Sequence, residues 1–191
     1  MKTKIQLLAL TFLFTTTFFA QNPDLVVTSR DNNSIKVFDG NTGEYKGNLV
    51  NPNSGGLNAP QEVLFHPDGS LLVTGRFNTA ILRYDGMSGQ YLGSFTSGYA
   101  LDNPTKTQIG PDGLLYVSSW GQVNNKVTRF NAETGEFIDE FTSTGVPTGC
   151  GQAWDKHGNL YVARWGNGQN GDVWKFDQDG NFVEIFISSA I

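Results

Sequence analysis

Cysteine is almost absent. Cys150 is the only one in 191 residues, so no disulfide can form within the chain and stability has to come from burial. A single Cys inside a strand pattern reads as a small buried hydrophobe. The two histidines, His66 and His157, sit at different offsets in turns and neither has a Ser or Cys nucleophile beside it, which leaves a catalytic triad without support. Basic charge is also scarce, with 13 Lys and Arg against 18 Asp and Glu and a formal net charge of −5. Two of those lysines, Lys2 and Lys4, belong to an N-terminal leader, and without them the balance falls to about −7 with no basic cluster, which excludes nucleic acid as a partner. After residue 20 there is no apolar run long enough to span a bilayer, no helical periodicity, and no glycine loop leading into a helix that would cradle phosphate.

What is present begins with that leader. Residues 1–20 have a short basic start followed by the uncharged stretch from Ile5 to Ala20, the pattern of a secretory signal peptide. Cleavage is expected near Ala20, although Phe18 is larger than the small residue usual two places earlier, and an uncleaved anchor is the alternative. The expected destination is secreted, periplasmic or cell-surface.

The rest of the chain, 21–191, is a fourfold repeat. Apolar doublets recur at Val26-Val27, Leu72-Val73, Tyr116-Val117 and Tyr161-Val162, their second members separated by 46, 44 and 45 residues. A turn precedes the later doublets at Pro67-Asp68-Gly69, Pro111-Asp112-Gly113 and Lys156-His157-Gly158. A second turn follows each doublet, from Asp39 to Gly43, Asp85 to Gly89, Asn131 to Gly135 and Asp177 to Gly180. Asp39 and Asp177 faintly suggest calcium loops, but the later acidic ligand is missing, so turn chemistry is the better account. Between the turns lie short alternating runs such as Glu62 to Phe65, Leu71 to Thr74, Ile81 to Tyr84 and Tyr91 to Phe95. Four antiparallel strands of this length cannot bury their own faces, so the units are expected to stack radially as blades of an all-β propeller, with blades near 24–50, 60–97, 104–143 and 147–188. The expected aromatic core is Phe65, Tyr84, Phe95, Tyr116, Phe130, Phe141, Trp154, Tyr161 and Phe176. A solenoid or sandwich fits the paired turns less well. The first unit lacks an innermost strand, which gives fifteen strands and leads to the expectation of an open arc, a fragment of a six-bladed ring; a closed four-bladed ring is the alternative. Open edges would favour self-association.

The segments Gly110 to Ser119 with Lys126 to Phe130, and Gly158 to Arg164 with Val173 to Asp177, resemble the NHL-repeat family of β-propellers, in particular its exported bacterial members. The resemblance spans almost the whole repeat region and implies rings of about six blades that mostly serve as binding or scaffolding surfaces. The related gluconolactonase-like hydrolases use a similar propeller with a central divalent metal. This chain departs from the family pattern after the second strand, where Ser29, Gly75, Ser119 and Arg164 stand in place of the usual Asp.

Propeller ligands bind where the loop between strands two and three meets the loop entering each blade. At one equivalent position in those loops the chain has Arg30, Arg76, Trp120 and Trp165, with Asn78, Asn124 and Asn167 nearby. Guanidinium and indole planes among amides suit a sugar or another polar ligand, whereas the plainer reading is edge capping and turns. A metal cage would need ligands from the inner strands, where Gln61-Glu62, Thr105-Lys106 and Cys150-Gly151 correspond, and Glu62 is the only carboxylate. The expectation is therefore a non-enzymatic binding or scaffold module for a protein or glycan, with no catalytic residue, metal or cofactor. A metal-dependent lactonase-like hydrolase using Glu62, or a structural spacer in a larger exported protein, are the alternatives.

Overall fold

A computed structural model describes residues 23–166 and 171–188; the leader, 1–20, lies outside the described residues. Among the described residues fifteen strands form one three-stranded and three four-stranded sheets, each a simple antiparallel meander. The first sheet is β1 (Leu25–Ser29), β2 (Ser34–Phe38) and β3 (Tyr45–Val50). The second is β4 (Pro60–Phe65), β5 (Ser70–Gly75), β6 (Leu82–Asp85) and β7 (Tyr91–Ser94). The third is β8 (Pro104–Ile109), β9 (Leu115–Ser119), β10 (Thr128–Phe130) and β11 (Phe137–Glu140). The fourth is β12 (Gly149–Trp154), β13 (Leu160–Arg164), β14 (Asp172–Phe176) and β15 (Phe182–Ile187). These are propeller blades, and β1 carries the doublet that β5, β9 and β13 carry, so the first blade starts at the second-strand position.

The second strand of each middle blade is buried on both faces, and successive side chains point to different neighbours. Leu71 and Val73 join Ile35, Val50, Leu57, Leu82 and Tyr84 between the first and second sheets. Leu72 turns the other way, toward Phe95, Leu115, Val117 and Phe130 of the next cluster. Tyr116 then meets Val127, Phe141, Leu160, Val162 and Phe176 between the third and fourth sheets. Burying each such large side chain contributes roughly 1.5–3 kcal/mol. Hydroxyl side chains reinforce the stacking: Thr74 Oγ1 donates to the Thr105 carbonyl at 2.8 Å, and Ser118 Oγ to Gln152 Oε1 at 2.8 Å. Thr28 reaches the Gln61 carbonyl from the same position in the first blade, while the fourth blade has Ala163 there.

Several side chains depart from the sequence expectation. Phe65 is 54% exposed because it ends β4, at the turn, beyond the reach of the inter-blade cluster. Tyr161 is half-buried and points away from the third sheet, meeting the Phe186 ring edge-on at 4.9 Å. Cys150 is exposed rather than buried, since β12 is irregular between Gly149 and Gly151 where it sits. The inner strands also start earlier than the alternation suggests. Each has a register shift near its start, between Pro60 and Glu62, Pro104 and Thr107, and Gly149 and Gly151, which breaks the two-residue period. Two three-residue 3-10 turns, Arg30–Asn32 and Ser54–Gly56, are the only helical elements among the described residues.

Candidate functional site

The residue before each inner strand has a positive φ without being glycine: Ala59 at +50°, Asn103 at +55° and Thr148 at +61°. Such a conformation costs of order 1–3 kcal/mol and turns the chain sharply into the blade. The carbonyl exposed by that turn accepts a backbone N–H from the loop leaving the second strand. Arg76 N donates to Ala59 O at 2.9 Å, Trp120 N to Asn103 O at 2.8 Å and Trp165 N to Thr148 O at 3.0 Å. Three of the four equivalent residues singled out in the sequence are thus fixed by one repeated hydrogen bond, and the fourth, Arg30, opens the 3-10 turn after β1.

These four side chains converge. A cavity of about 340 Å³ is lined by Arg30, Arg76, Trp120 and Trp165, with Gln61 from β4 and Thr105 from β8 completing its wall. The Trp120 and Trp165 rings lie 4.9 Å apart at 40°, and the Arg76 guanidinium sits 5.2 Å from the Trp120 ring centre. Arg76 also lies 5.5 Å from the Phe77 ring. In the sequence, Gln61 and Thr105 stand out only as inner-strand metal positions. Their place at the start of the inner strands, level with the loops, was the signal for a second role. The Gln61 amide donates to the Ala59 carbonyl at 3.2 Å, and the Thr105 hydroxyl lies 2.9 Å from the Gly149 carbonyl, which makes this wall rigid.

The asparagines have other duties. Asn78 bridges two loops, donating to Gly56 O at 2.9 Å and accepting from Asn58 N at 3.0 Å. Asn124 donates to Ala100 O at 3.0 Å. Neither lines the cavity, and Asn167 lies outside the described residues.

Charge is distributed unevenly over the five arginines. Arg83 pairs with Asp68, Arg129 with Asp112 and Asp139, and Arg164 with Asp172. Arg30 and Arg76 form no ion pair among the described residues, and the buried Nε of Arg76 has no hydrogen-bond partner there. Glu62, by contrast, is engaged: one oxygen pairs with Lys106, and the other accepts from the Thr107 backbone N–H and, at 3.1 Å, from its hydroxyl. The carboxylate therefore ties β4 to β8. Among the described residues no three His, Cys, Asp or Glu side chains group as a metal site would require. His66 is buried, its Nε2 donating to Ala132 O at 2.6 Å and its Nδ1 lying 2.9 Å from Asp68, so it braces a turn. Asp68 is held well below the usual carboxylate range, chiefly by the Ser70 hydroxyl and with help from the Ser70 N–H and His66.

No family model matches the sequence, and no curated protein matches it. Solved structures do. Virginiamycin B lyase from Staphylococcus aureus, in a catalytically inactive variant with quinupristin, superposes with a TM-score of 0.63 at 19% identity, over 88% of this chain and 53% of its own. Regucalcin from Agrobacterium tumefaciens, titled a calcium-binding protein, gives 0.58 at 23% identity over 84% and 55%. The nidogen/laminin complex gives 0.62 at 14% identity over 84% and 60%. The chain thus spans a little over half the length of these neighbours. At such identities the likeness is one of fold: the chain has the architecture of a β-propeller.

Proposed function

We propose that this chain is an exported, non-enzymatic β-propeller module of NHL type whose loop face, where the second strands of the blades end, binds a glycan or a protein. The observation that carries the reading is the convergence of Arg30, Arg76, Trp120 and Trp165, one residue from each repeat, on a single cavity. Core packing does not require it, since Trp165 is 47% exposed and the blades are already filled by the three inter-blade clusters. Exposed or half-buried Trp and Arg held on a rigid frame are the side chains that anchor recognition surfaces. The nidogen/laminin structure is a propeller neighbour seen with a protein partner, which agrees with this use of the fold. The engagement of Glu62 by Lys106 and Thr107 favours a binding role over a metal-dependent hydrolase.

The test is retention of the chain from residue 21 on immobilised glycans and extracellular proteins, beside a Trp120→Ala, Trp165→Ala double variant. Retention of the parent and its loss in the variant are expected. Equal retention of both, or hydrolysis of a lactone that Glu62→Gln abolishes in a still-folded protein, would overturn the reading.

A further inference from the structure

The cavity has a chemical bias that its shape alone does not convey. The chain is acidic overall, yet the two arginines without a carboxylate partner among the described residues are the two that line this cavity. A guanidinium half-buried against indole without a counter-charge leaves a charged donor unsatisfied, and the Arg76 Nε is such a donor. The group that best neutralises such a guanidinium is a carboxylate, whose two oxygens match the planar fork. Beside the guanidinium stand two indole rings, which offer an apolar surface and only one N–H each. A bare inorganic anion would leave that surface in water, and the helical turn that Arg30 opens at the cavity wall is only three residues long, too short to hold one. A neutral sugar would use the indoles but leave the guanidinium unpaired. A sugar ring bearing a carboxylate uses both, with the ring on the indoles, the carboxylate on Arg76 and Arg30, and hydroxyls toward Gln61 and Thr105. A cavity of about 340 Å³ lies at the small end of ligand sites and suits one or two rings.

We infer that this loop-face cavity recognises a uronic acid residue of an acidic glycan, a deepening that rests on the binding-module reading. The site selects by charge as well as by ring shape.

The experiment is calorimetric titration of the chain from residue 21 with a galacturonate trimer and with the same trimer as its methyl ester, which keeps the rings and removes the charge. The acid is expected to bind roughly tenfold to a hundredfold more tightly than the ester, the span of one to two charge-assisted hydrogen bonds. Arg76→Gln should remove that preference while leaving weak binding of the ester unchanged. Added salt should weaken the acid alone, and inorganic phosphate at equal concentration should not displace it. Equal affinity for acid and ester would overturn the inference and leave the binding-module reading intact. Displacement by phosphate would overturn it in favour of a simple anion site. Binding of neither trimer would also overturn it, and retention on the wider glycan and protein panel then decides separately whether the loop face binds anything. Circular dichroism of Arg76→Gln separates loss of selectivity from loss of fold.

Discussion

Four glycines occupy equivalent turn positions and do not carry equal loads. Gly43, Gly89, Gly135 and Gly180 all have left-handed φ, at +72°, +69°, +74° and +81°. A methyl group at Gly89 would overlap the Leu49 carbonyl, at Gly135 that of Phe95, and at Gly180 that of Phe141, in each case the end of the preceding blade's outer strand. Gly135 and Gly180 also accept N–H bonds across the same junction, from Ser97 at 2.9 Å and Ser143 at 2.7 Å. Gly43 meets nothing within 4 Å. Alanine at Gly43 therefore incurs only the left-handed strain of about 1–2 kcal/mol, whereas alanine at Gly135 must also push two blades apart. Urea denaturation is expected to show a loss of about 1 kcal/mol for Gly43→Ala and of 3 kcal/mol or more for Gly135→Ala. Equal losses would mean that the turn glycines serve φ alone. The repeated glycine was visible in the sequence; its role as a contact between blades was not, because nothing local encodes which carbonyl approaches it.

At the level of elements, the turns are held by carboxylates that must stay ionised. Asp39 Oδ1 accepts the N–H groups of Asn41 and Thr42, both at 2.9 Å, and Asp85 Oδ1 those of Met87 and Ser88 at 3.1 and 2.7 Å. Asp155 and Asp177 repeat the pattern with Asn159 and Asn181. Each carboxyl is lowered from its ordinary value, led by the Thr42 N–H at Asp39, the Ser88 N–H at Asp85 and the side chains of Asn159 and Asn181 at the other two; Asp155 falls from 3.8 to about 2. A folded value below the unfolded one contributes stability that is present above the unfolded value, about 3.9, and is lost as pH falls toward the folded one. The urea midpoint should therefore be level between about pH 7 and 5 and fall between about pH 4 and 2. Asp155→Asn should flatten part of that fall while lowering the midpoint at pH 7, and an unchanged acid limb would contradict the assignment. These turns were legible because Asp, Asn, Thr and Gly at fixed offsets each have a mechanical reason to be there. The turns into the inner strands were not, because Ala59, Asn103 and Thr148 take a conformation for which the sequence pattern would look for glycine.

At the level of the whole molecule, the repeat itself made the site legible. Residues 46, 44 and 45 positions apart in a radial array fall at one radius and one height, so Arg30, Arg76, Trp120 and Trp165 could be grouped before any coordinates. What the linear sequence hid was the division of labour among the polar residues around them. Asn78 and Asn124 look like ligand groups and are spent on loop-to-loop hydrogen bonds, while Gln61 and Thr105 look like strand residues and reach the cavity wall. The exposure of β15 was equally hidden, since it is apolar at every position but Glu184, as a core strand would be, and yet all six of its residues are exposed.

The proposal that the loop-face cavity, and no other surface, is the recognition site is tested directly by the four indole N–H resonances. Trp120 and Trp165 line the cavity, whereas Trp154 ends β12 and packs edge-on against Tyr116 at 4.8 Å, and Trp174 lies in β14. Titration of the labelled protein with the galacturonate and methyl-ester trimers should move the Trp120 and Trp165 signals and leave Trp154 in place. Movement of Trp154 with Trp120 and Trp165 unchanged would contradict the account.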